Sequence, residues 1–227
     1  MEKIKLSITT KSNLLIGGMP KMFEIGGVDM ETTTDHCGQP IIPASSLKGV
    51  LRRMTKEKKD KDETAKAIAK AYQVLLIKYR NENEKRLTSG QYELEPERTA
   101  AMKKRFETEI EKASVENLFG IQGFHDTPKL LFQDLKLKKC MDDWYSLDSK
   151  NKIELNGLEI SANPRSYKTV RPGITFHGEI ILHQIEILQV RGIGEFIKNV
   201  LLQFNDGSYR LGNSGSRGYG HIEVSFD

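Results

Sequence analysis

Three glycines within six residues stand directly before an alternating apolar tail at the end of the chain. Gly215, Gly218 and Gly220 can take positive φ and leave no Cβ in the way, so a phosphate or another backbone can approach closely. Arg217 lies between them and offers a forked phosphate donor, while Tyr219 offers a ring on which a base can stack. The pattern predicts either a clamp on a nucleic-acid backbone or an ordinary turn before a last strand.

The spacing of these glycines excludes two common phosphate-binding motifs. The order G-x-x-G-x-G is the reverse of the dinucleotide fingerprint, and it leads into a strand where that fingerprint would begin a helix. No Gly-Lys-Ser or Gly-Lys-Thr follows, so the loop is not a P-loop. A nucleotide cofactor of either kind is therefore not predicted here.

Composition describes a globular, highly charged chain of 227 residues that we treat as a single domain, 1–227. No apolar run approaches the ~18 residues of a membrane span, so no membrane partner is expected. Cys37 and Cys140 are isolated, which indicates neither a disulfide framework nor a zinc site and favours a reducing cytoplasm. Residues 52–112 hold 17 Lys and Arg against 12 Asp and Glu, so the excess of 35 basic over 31 acidic residues arises there.

Hydrophobic periodicity predicts an α+β fold. Residues 3–10 alternate as a strand, and apolar residues at helical spacing follow Pro43 and recur from Ile193 to Phe204. Apolar runs predict the remaining strands at 129–137, 174–187 and 220–226. The order strand, helix, strand, strand, helix, strand is that of a ferredoxin-like (RRM-like) βαββαβ core. Two insertions interrupt it, a helical lid at 55–113 and a protruding, thumb-like arm at 138–173.

The first helix carries a candidate phosphate site at its start. Ser45 or Ser46 is a suitable N-cap, and the open amides of a helix N-terminus attract anions. Lys48, Arg52 and Arg53 add positive charge around the first turns. The alternative is that the serines only cap the helix and the basic side chains are only solvated.

The glycine-rich stretch from Ser12 to Gly38 is predicted to be a long loop, and it carries the candidate catalytic groups. Asp29, Asp35 and His36 lie within it, and carboxylates near a histidine can bind a metal ion or move protons. Solvated loop charges are the alternative reading of the same residues.

Four motifs in a fixed order support a family resemblance. They are Ile42–Arg52 (IPASSLKGVLR), Asn117–Gly120 (NLFG), Ala162–Arg165 (ANPR) and Leu211–Gly220 (LGNSGSRGYG). In that order they resemble the RAMP-superfamily backbone subunit of type III CRISPR effector complexes, in its Csm-type version with the Cmr-type possible. The chain departs from the family in having Pro43-Ala44 where Pro-Gly is usual, and in a longer helical insertion.

The resemblance implies specific partners and RNA-binding residues. Copies of the subunit stack into a filament on a CRISPR guide RNA, beside other Csm-type or Cmr-type subunits, and face a complementary target RNA. The resemblance implies that the guide is gripped by Ser45, Ser46, Lys48, Arg52, Gly215, Ser216, Arg217 and Gly218. Arg53 and Tyr219, named above for their charge and their ring, are further candidates. The thumb-like arm would contribute Asn163, Arg165 and Lys168.

The resemblance also implies cleavage of the target RNA at regular intervals. The family's catalytic aspartate lies in the loop after the first strand, where this chain has Asp29, with Asp35 as the runner-up. A displaced nucleotide would attack its own phosphate through the 2′-hydroxyl, with Mg²⁺ or Mn²⁺ bound near Asp29 or with Asp29 as the base. The alternatives are a non-catalytic RNA-binding scaffold and a guide-processing ribonuclease that acts through His36.

Overall fold

The computed structural model describes residues 2–17, 28–89, 95–138, 143–156 and 159–226, apart from the side chains of residues 151–163. Its strands and helices in chain order are β1 (Glu2–Thr10), β2 (Met30–Glu31), α1 (Ala44–Glu57), α2 (Glu63–Thr88), α3 (Pro96–Glu111), β3 (Lys129–Phe132), β4 (Lys136–Leu137), β5 (Tyr145–Asn156), β6 (Glu159–Val170), β7 (Thr175–His183), α4 (Ile193–Leu202) and β8 (Ile222–Phe226). Short 3-10 helices cover Val115–Phe119, Ile185–Leu188 and Gly215–Arg217. The described chain is therefore mixed α+β, as predicted.

The larger sheet has the strand order β3-β7-β1-β8, and β4 joins it by pairing with β7. β1 and β8 run antiparallel, with Leu6 opposite Phe226. Ile4, Leu6 and Ile8 are buried because alternate side chains of a strand point to the same face. The first and last strands of the sequence are thus neighbours.

The smaller sheet has the order β2-β6-β5 and is dominated by a long hairpin. β5 and β6 pair antiparallel from Tyr145 opposite Val170 to Asn156 opposite Glu159, within the segment predicted as an arm. β2 adds a short parallel pairing, with Met30 opposite Tyr167. The segment 12–38, which was predicted to be a long loop, is therefore partly ordered, because Met30 and Glu31 pair with the hairpin strand β6.

The chain divides into two compact units. The first comprises Met1–Lys3, Leu51–Leu131 and Ile181–Val200, and the second comprises Ile4–Val50, Phe132–Ile180 and Leu201–Asp227. We call them the helical unit and the hairpin unit, because α2 and α3 belong to the first and the β5–β6 hairpin to the second. All residues of the candidate interface discussed below lie in the hairpin unit, except Arg52 and Arg53.

The helical unit is built on α2 and α3. Asp62 caps α2 by accepting from the N–H groups of Thr64 and Ala65 at 2.8 and 3.1 Å. Tyr72 is fully buried and donates its hydroxyl to the carbonyl oxygen of Pro128 at 2.6 Å. α2 ends at Thr88 and α3 begins at Pro96, whose fixed φ suits the first position of a helix. That the two helices act as a lid stays a prediction.

Two predicted strands are shorter than expected. The run 129–137 forms the separate strands β3 and β4, and the run 174–187 ends as a strand at His183. Gln184 has φ of +54°, which turns the backbone into a 3-10 helix. The apolar pattern continues through the turn because Ile185 and Leu188 are buried, so hydrophobicity alone overestimated the strand.

None of the described helices combines the length and the apolar character needed to cross a membrane.

Candidate nucleic-acid interface

Asp29 is an exposed carboxylate held against the hairpin. It directly precedes β2, whose parallel pairing with β6 brings it beside Ser166. Asp29 Oδ2 accepts from the Ser166 N–H at 2.6 Å and from the Ser166 hydroxyl at 3.0 Å. The Asp29 N–H donates to Ser166 Oγ at 3.2 Å. These contacts hold the carboxylate in one orientation although it faces solvent.

The Ser166 contacts lower the pKa of Asp29 below its ordinary value of 3.8, first through the backbone N–H and then through the hydroxyl. Hydrogen bonds to the charged form favour that form. Asp29 is therefore ionised at neutral pH and accepts a proton less readily than an ordinary aspartate. Its chemistry suits a fixed negative ligand better than a general base.

Asp29 fits a divalent cation only when other molecules provide most of the ligands. Among the described residues there is no group of three or more His, Cys, Asp or Glu side chains able to hold a metal ion. Mg²⁺ keeps several waters and is commonly bound by one or two carboxylates together with phosphates. A single ordered carboxylate matches that mode, with RNA and water as the remaining ligands.

Asp35, the runner-up, closes a turn. Its Oδ1 accepts from the N–H groups of Cys37 and Gln39, both at 2.9 Å, and its own N–H donates to the Gln39 carbonyl oxygen at 2.8 Å. This is the pattern by which aspartate stabilises a loop. The geometry therefore gives Asp35 a structural task and favours Asp29 as the carboxylate presented to a ligand.

The glycine-rich loop packs closely at one end and is open in its middle. A Cβ on Gly220, whose φ is +73°, would lie 2.0 Å from the carbonyl oxygen of Leu211. A Cβ on Gly218, whose φ is +88°, would meet nothing within 4 Å. Ser216, Arg217 and Gly218 are exposed, and Arg217 makes no ion pair with any described residue. The open part of the loop is thus the part predicted to contact phosphate.

Tyr219 corrects one expectation, because its ring does not lie open for a base. The residue is only 7% exposed and packs with Leu15 and Tyr167. Its hydroxyl donates to Asp148 Oδ2, and Lys150 Nζ lies 3.6 Å from the centre of its ring. Burial and the bond to Asp148 raise the pKa of Tyr219, which keeps the hydroxyl protonated as a donor. Tyr219 therefore anchors the loop to β5 in this structure.

Lys150 is an unusual member of this cluster. Its ammonium is shielded from solvent and has no hydrogen-bond acceptor among the described residues. The rings of Tyr219 and, at 5.7 Å, Tyr167 face it instead, and desolvation together with nearby Arg217 lowers its pKa. Asp148 opposes that shift and also accepts from Asn13 Nδ2 at 2.8 Å.

One short piece of the hairpin contacts both the loop that carries Asp29 and the glycine-rich loop. Asp148 pairs with Tyr167, Ser149 with Ser166, and Lys150 with Arg165. Ser166 binds Asp29, whereas Asp148 and Lys150 contact Tyr219. Asp29 and Tyr219 are thus both bound by the same piece of the hairpin, residues 148–150 and 165–167.

The start of α1 differs from its prediction. The helix begins at Ala44, so Ser45 and Ser46 lie in its first turn and neither is the cap. The Ala44 N–H donates to Asp134 Oδ1 at 2.8 Å, so a carboxylate from a distant part of the chain occupies one of the amides predicted to meet phosphate. Ser45 is exposed, and Lys48 is half-buried.

The remaining predicted binding residues have varied surroundings. Arg52 belongs to the helical unit and pairs with Glu116, Nε to Oε1 at 3.2 Å, while Arg53 is exposed. In the hairpin unit, Lys168 Nζ lies 4.3 Å from the centre of the Tyr145 ring, and Arg165 is exposed. The side chain of Asn163 lies outside the described part of the chain.

Sequence reasoning missed the residues that position the others. Ser166, Asp148 and Asp134 each bond to a residue at least 71 positions away in the chain. No local spacing marks such contacts. Only the hairpin pairing and the packing of the loops reveal them.

Comparison with known proteins decides the family. Residues 7–223 match the family described as the RAMP superfamily. The chain belongs to the RAMP superfamily. This RAMP protein is also similar to the CRISPR system Cms endoribonuclease Csm3 of Methanocaldococcus jannaschii, with 25% identity over 224 residues, which is 95% of this chain and 75% of that protein.

A solved structure resembles this RAMP chain in fold. It is a chain in the cryo-EM structure of the type III-B Cmr-beta bound to cognate target RNA, with a TM-score of 0.60 and 16% sequence identity. The match covers 99% of this chain and 59% of that one, so this RAMP chain spans little more than half of its structural neighbour. At that identity the likeness supports a shared fold alone.

Proposed function

We propose that this RAMP chain is a guide-RNA-binding backbone subunit of a cytoplasmic type III CRISPR ribonucleoprotein, and that it cleaves complementary target RNA. The observation that carries the proposal is the similarity to a CRISPR-system endoribonuclease over 95% of the chain. Membership of the RAMP superfamily over residues 7–223 supports it.

The core of this subunit is a ferredoxin-like sheet formed by β1, β3, β7 and β8. The observed order β3-β7-β1-β8 supports this assignment, because in a ferredoxin-like sheet the first strand lies between the third and the last. The β5–β6 hairpin lies between β3 and β7 in sequence and serves as the thumb-like arm.

The exposed part of the glycine-rich loop holds guide phosphates. Arg217 has a guanidinium without an ion pair among the described residues, and its exposed neighbour Ser216 offers a hydroxyl donor. Lys48 and the exposed Ser45 add donors from the first turns of α1. The remaining proposed contacts to RNA are Ser46, Arg52, Arg53, Asn163, Arg165, Lys168 and Gly215.

Further copies of the chain continue the filament along the guide, and other Csm-type or Cmr-type subunits complete the complex. The hairpin reaches toward the neighbouring copy and displaces a nucleotide of the target strand. Its exposed Arg165 and the adjoining Asp29 support a role beside the RNA.

Cleavage takes place beside Asp29. The 2′-hydroxyl of the displaced nucleotide loses its proton to water, and its oxygen forms a bond to the phosphorus of the adjoining 3′-phosphate. The bond from that phosphorus to the 5′-oxygen of the next nucleotide breaks, and this oxygen takes up a proton from water and leaves as a hydroxyl. Asp29 contributes a fixed negative charge rather than a base, because Ser166 lowers its pKa.

Asp29 would be the protein's ligand to Mg²⁺ or Mn²⁺, with RNA phosphates and water as the others. Such an ion would stabilise negative charge on the phosphate under attack. The task of Ser166 is to hold the carboxylate in one orientation.

A scaffold that grips RNA without cutting it is the second candidate, and the observation that favours it is that the described residues include no group of three or more possible metal ligands. A guide-processing ribonuclease acting through the exposed His36 is the third. Only the third would cut precursor RNA as an isolated chain in the presence of EDTA.

RNA binding is tested with the chain co-expressed with a CRISPR guide RNA. Arg217→Ala is expected to reduce guide retention on size-exclusion chromatography and to weaken affinity roughly tenfold, as loss of a charge-assisted phosphate contact predicts. Lys11→Ala is a matched control, since Lys11 is an exposed cation paired with Glu223 at 2.7 Å. Equal retention by both variants would contradict the proposed phosphate contact.

A further inference from the structure

The helical unit contains an open groove of about 890 Å³ between α2, α3 and the loop 121–128. It lies apart in sequence from Asp29 and from the glycine-rich loop, and neither RNA binding nor cleavage as proposed above uses it. Its volume falls within the range typical of small-ligand pockets, roughly 300–1,000 Å³.

Three arginines that line this groove have no ion-pair partner among the described residues. Arg86 comes from α2, and Arg98 and Arg105 come from α3. None of the three guanidinium groups makes a salt bridge or hydrogen bond with any residue in the described ranges. Another basic residue of α3, Lys103, does form a salt bridge with α2, since its Nζ lies 3.9 Å from Glu84 Oε1. As far as the described residues show, these three guanidinium groups are therefore available to an anion.

Aromatic side chains form the apolar part of the groove. Phe124 and Tyr79 are partly exposed and line the space, and Phe106, which is only 5% exposed, packs edge to face against Phe124 with ring centres 4.9 Å apart. Gly123 has φ of +83°, and the guanidinium of Arg105 lies so close that Cζ would be 2.4 Å from a Cβ at that position. A planar cation is thus held flat against the loop, beside the aromatic rings.

Hydrogen-bond acceptors complete the lining. Glu82 and Asp126 border the groove, and the Tyr79 hydroxyl donates weakly to the Asp126 carbonyl oxygen at 3.5 Å. Such carboxylates can accept from the amino and imino groups of a nucleobase. A peptide rich in Asp and Glu is the other ligand that three arginines suggest.

We propose that this groove binds a nucleotide, with the base against Phe124 and Tyr79 and the phosphate on Arg86 and Arg98. Arginine and aromatic faces are the groups with which proteins hold unpaired bases and their phosphates. The same chemistry suits a nucleotide within a single-stranded RNA or a free mononucleotide.

The test uses the full chain carrying Arg217→Ala and purified free of nucleic acid, so that the proposed guide contact is weakened. Binding of fluorescein-labelled hexauridylate is measured by polarisation, with 5′-UMP as a competitor. In this background, Arg86→Ala combined with Arg98→Ala is expected to weaken binding roughly tenfold or more. Arg80→Ala on the same helix is the control, because Arg80 hydrogen-bonds to Asn81 and does not line the groove.

A 4-thiouridine version of the probe identifies the contact directly. Ultraviolet crosslinks within residues 79–127 are expected, and competition by 5′-UMP would identify a free nucleotide as a sufficient ligand. Equal binding by the Arg86/Arg98 variant, crosslinks confined to other residues, or displacement by polyglutamate but not by UMP would overturn the proposal. If Arg217→Ala alone abolishes all RNA binding, the groove is contradicted while the guide contact stands.

Discussion

Asp29 and Ser166, 137 positions apart in the chain, are joined by three hydrogen bonds, the shortest of them 2.6 Å from the Ser166 N–H to Asp29 Oδ2. This relationship makes the hairpin part of the proposed catalytic machinery, because Ser166 belongs to β6. Ser166, which lies in none of the sequence motifs, thereby lowers the pKa of the carboxylate and holds its orientation.

Ser166→Ala is expected to impair target cleavage without affecting guide binding. The substitution keeps the backbone N–H but removes the hydroxyl, so Asp29 loses one donor and becomes less fixed. We expect a fall in cleavage rate of up to roughly tenfold in assembled complexes. Ser149→Ala is the control, since Ser149 pairs with Ser166 on the neighbouring strand. Equal loss in both variants would mean that the hairpin, not the contact, was disturbed.

The pH dependence of cleavage follows from the lowered pKa of Asp29. A carboxyl whose pKa is depressed on folding contributes stability above its unfolded value of 3.8 and loses it as pH falls through the lower, folded value. Protonation of Asp29 should therefore cause no loss of activity between about pH 5 and pH 8. Carbon-13 NMR of labelled aspartate should report a pKa below 3.8 in the native chain and a higher value in Ser166→Ala. A normal or raised value in the native chain would contradict this account.

Tyr219→Ala is expected to destabilise the fold, because the ring is buried with Leu15 and Tyr167. Deleting a buried aromatic ring costs about 3–5 kcal/mol in the free energy of unfolding. Tyr219→Phe keeps the ring over Lys150 and loses only the bond to Asp148, which we expect to cost about 1 kcal/mol. Urea unfolding measures both. Unchanged stability with weaker RNA binding in Tyr219→Ala would restore the base-stacking role predicted from sequence.

Gly220→Ala and Gly218→Ala separate packing from conformational strain in one loop. Both glycines have positive φ, which costs an L-residue about 1–2 kcal/mol. Only at Gly220 would the added methyl also meet a backbone carbonyl oxygen, 2.0 Å away, whereas Gly218 faces open space. Gly220→Ala should therefore lower the thermal midpoint more than Gly218→Ala. Equal shifts would show that the backbone around Leu211 yields to the methyl group.

Local sequence patterns predicted the strands and helices in which buried residues recur at a regular spacing. The alternation over residues 3–10 predicted β1 at Glu2–Thr10, and the helical spacing from Ile193 predicted α4 at Ile193–Leu202, because such signals act within a few residues. The cap of α1 could not be predicted in this way, since Asp134 reaches it from 90 positions away. The same holds for Tyr219, whose sequence context suggests an exposed loop but whose ring is covered by β5. The family resemblance directed attention to Asp29, while its support by Ser166 emerged only from strand pairing.

Target cleavage by complexes assembled with guide RNA and either Asp29→Asn or Asp35→Asn chains tests the central claim most directly. Asparagine at 35 can still accept the two N–H donors that hold its turn, whereas asparagine at 29 removes the charge presented to the RNA. With Mg²⁺ or Mn²⁺ present, we predict that Asp29→Asn abolishes cutting while guide and target remain bound, and that Asp35→Asn cuts like the native chain. Undiminished cleavage by Asp29→Asn would contradict the account and leave the chain as an RNA-binding scaffold.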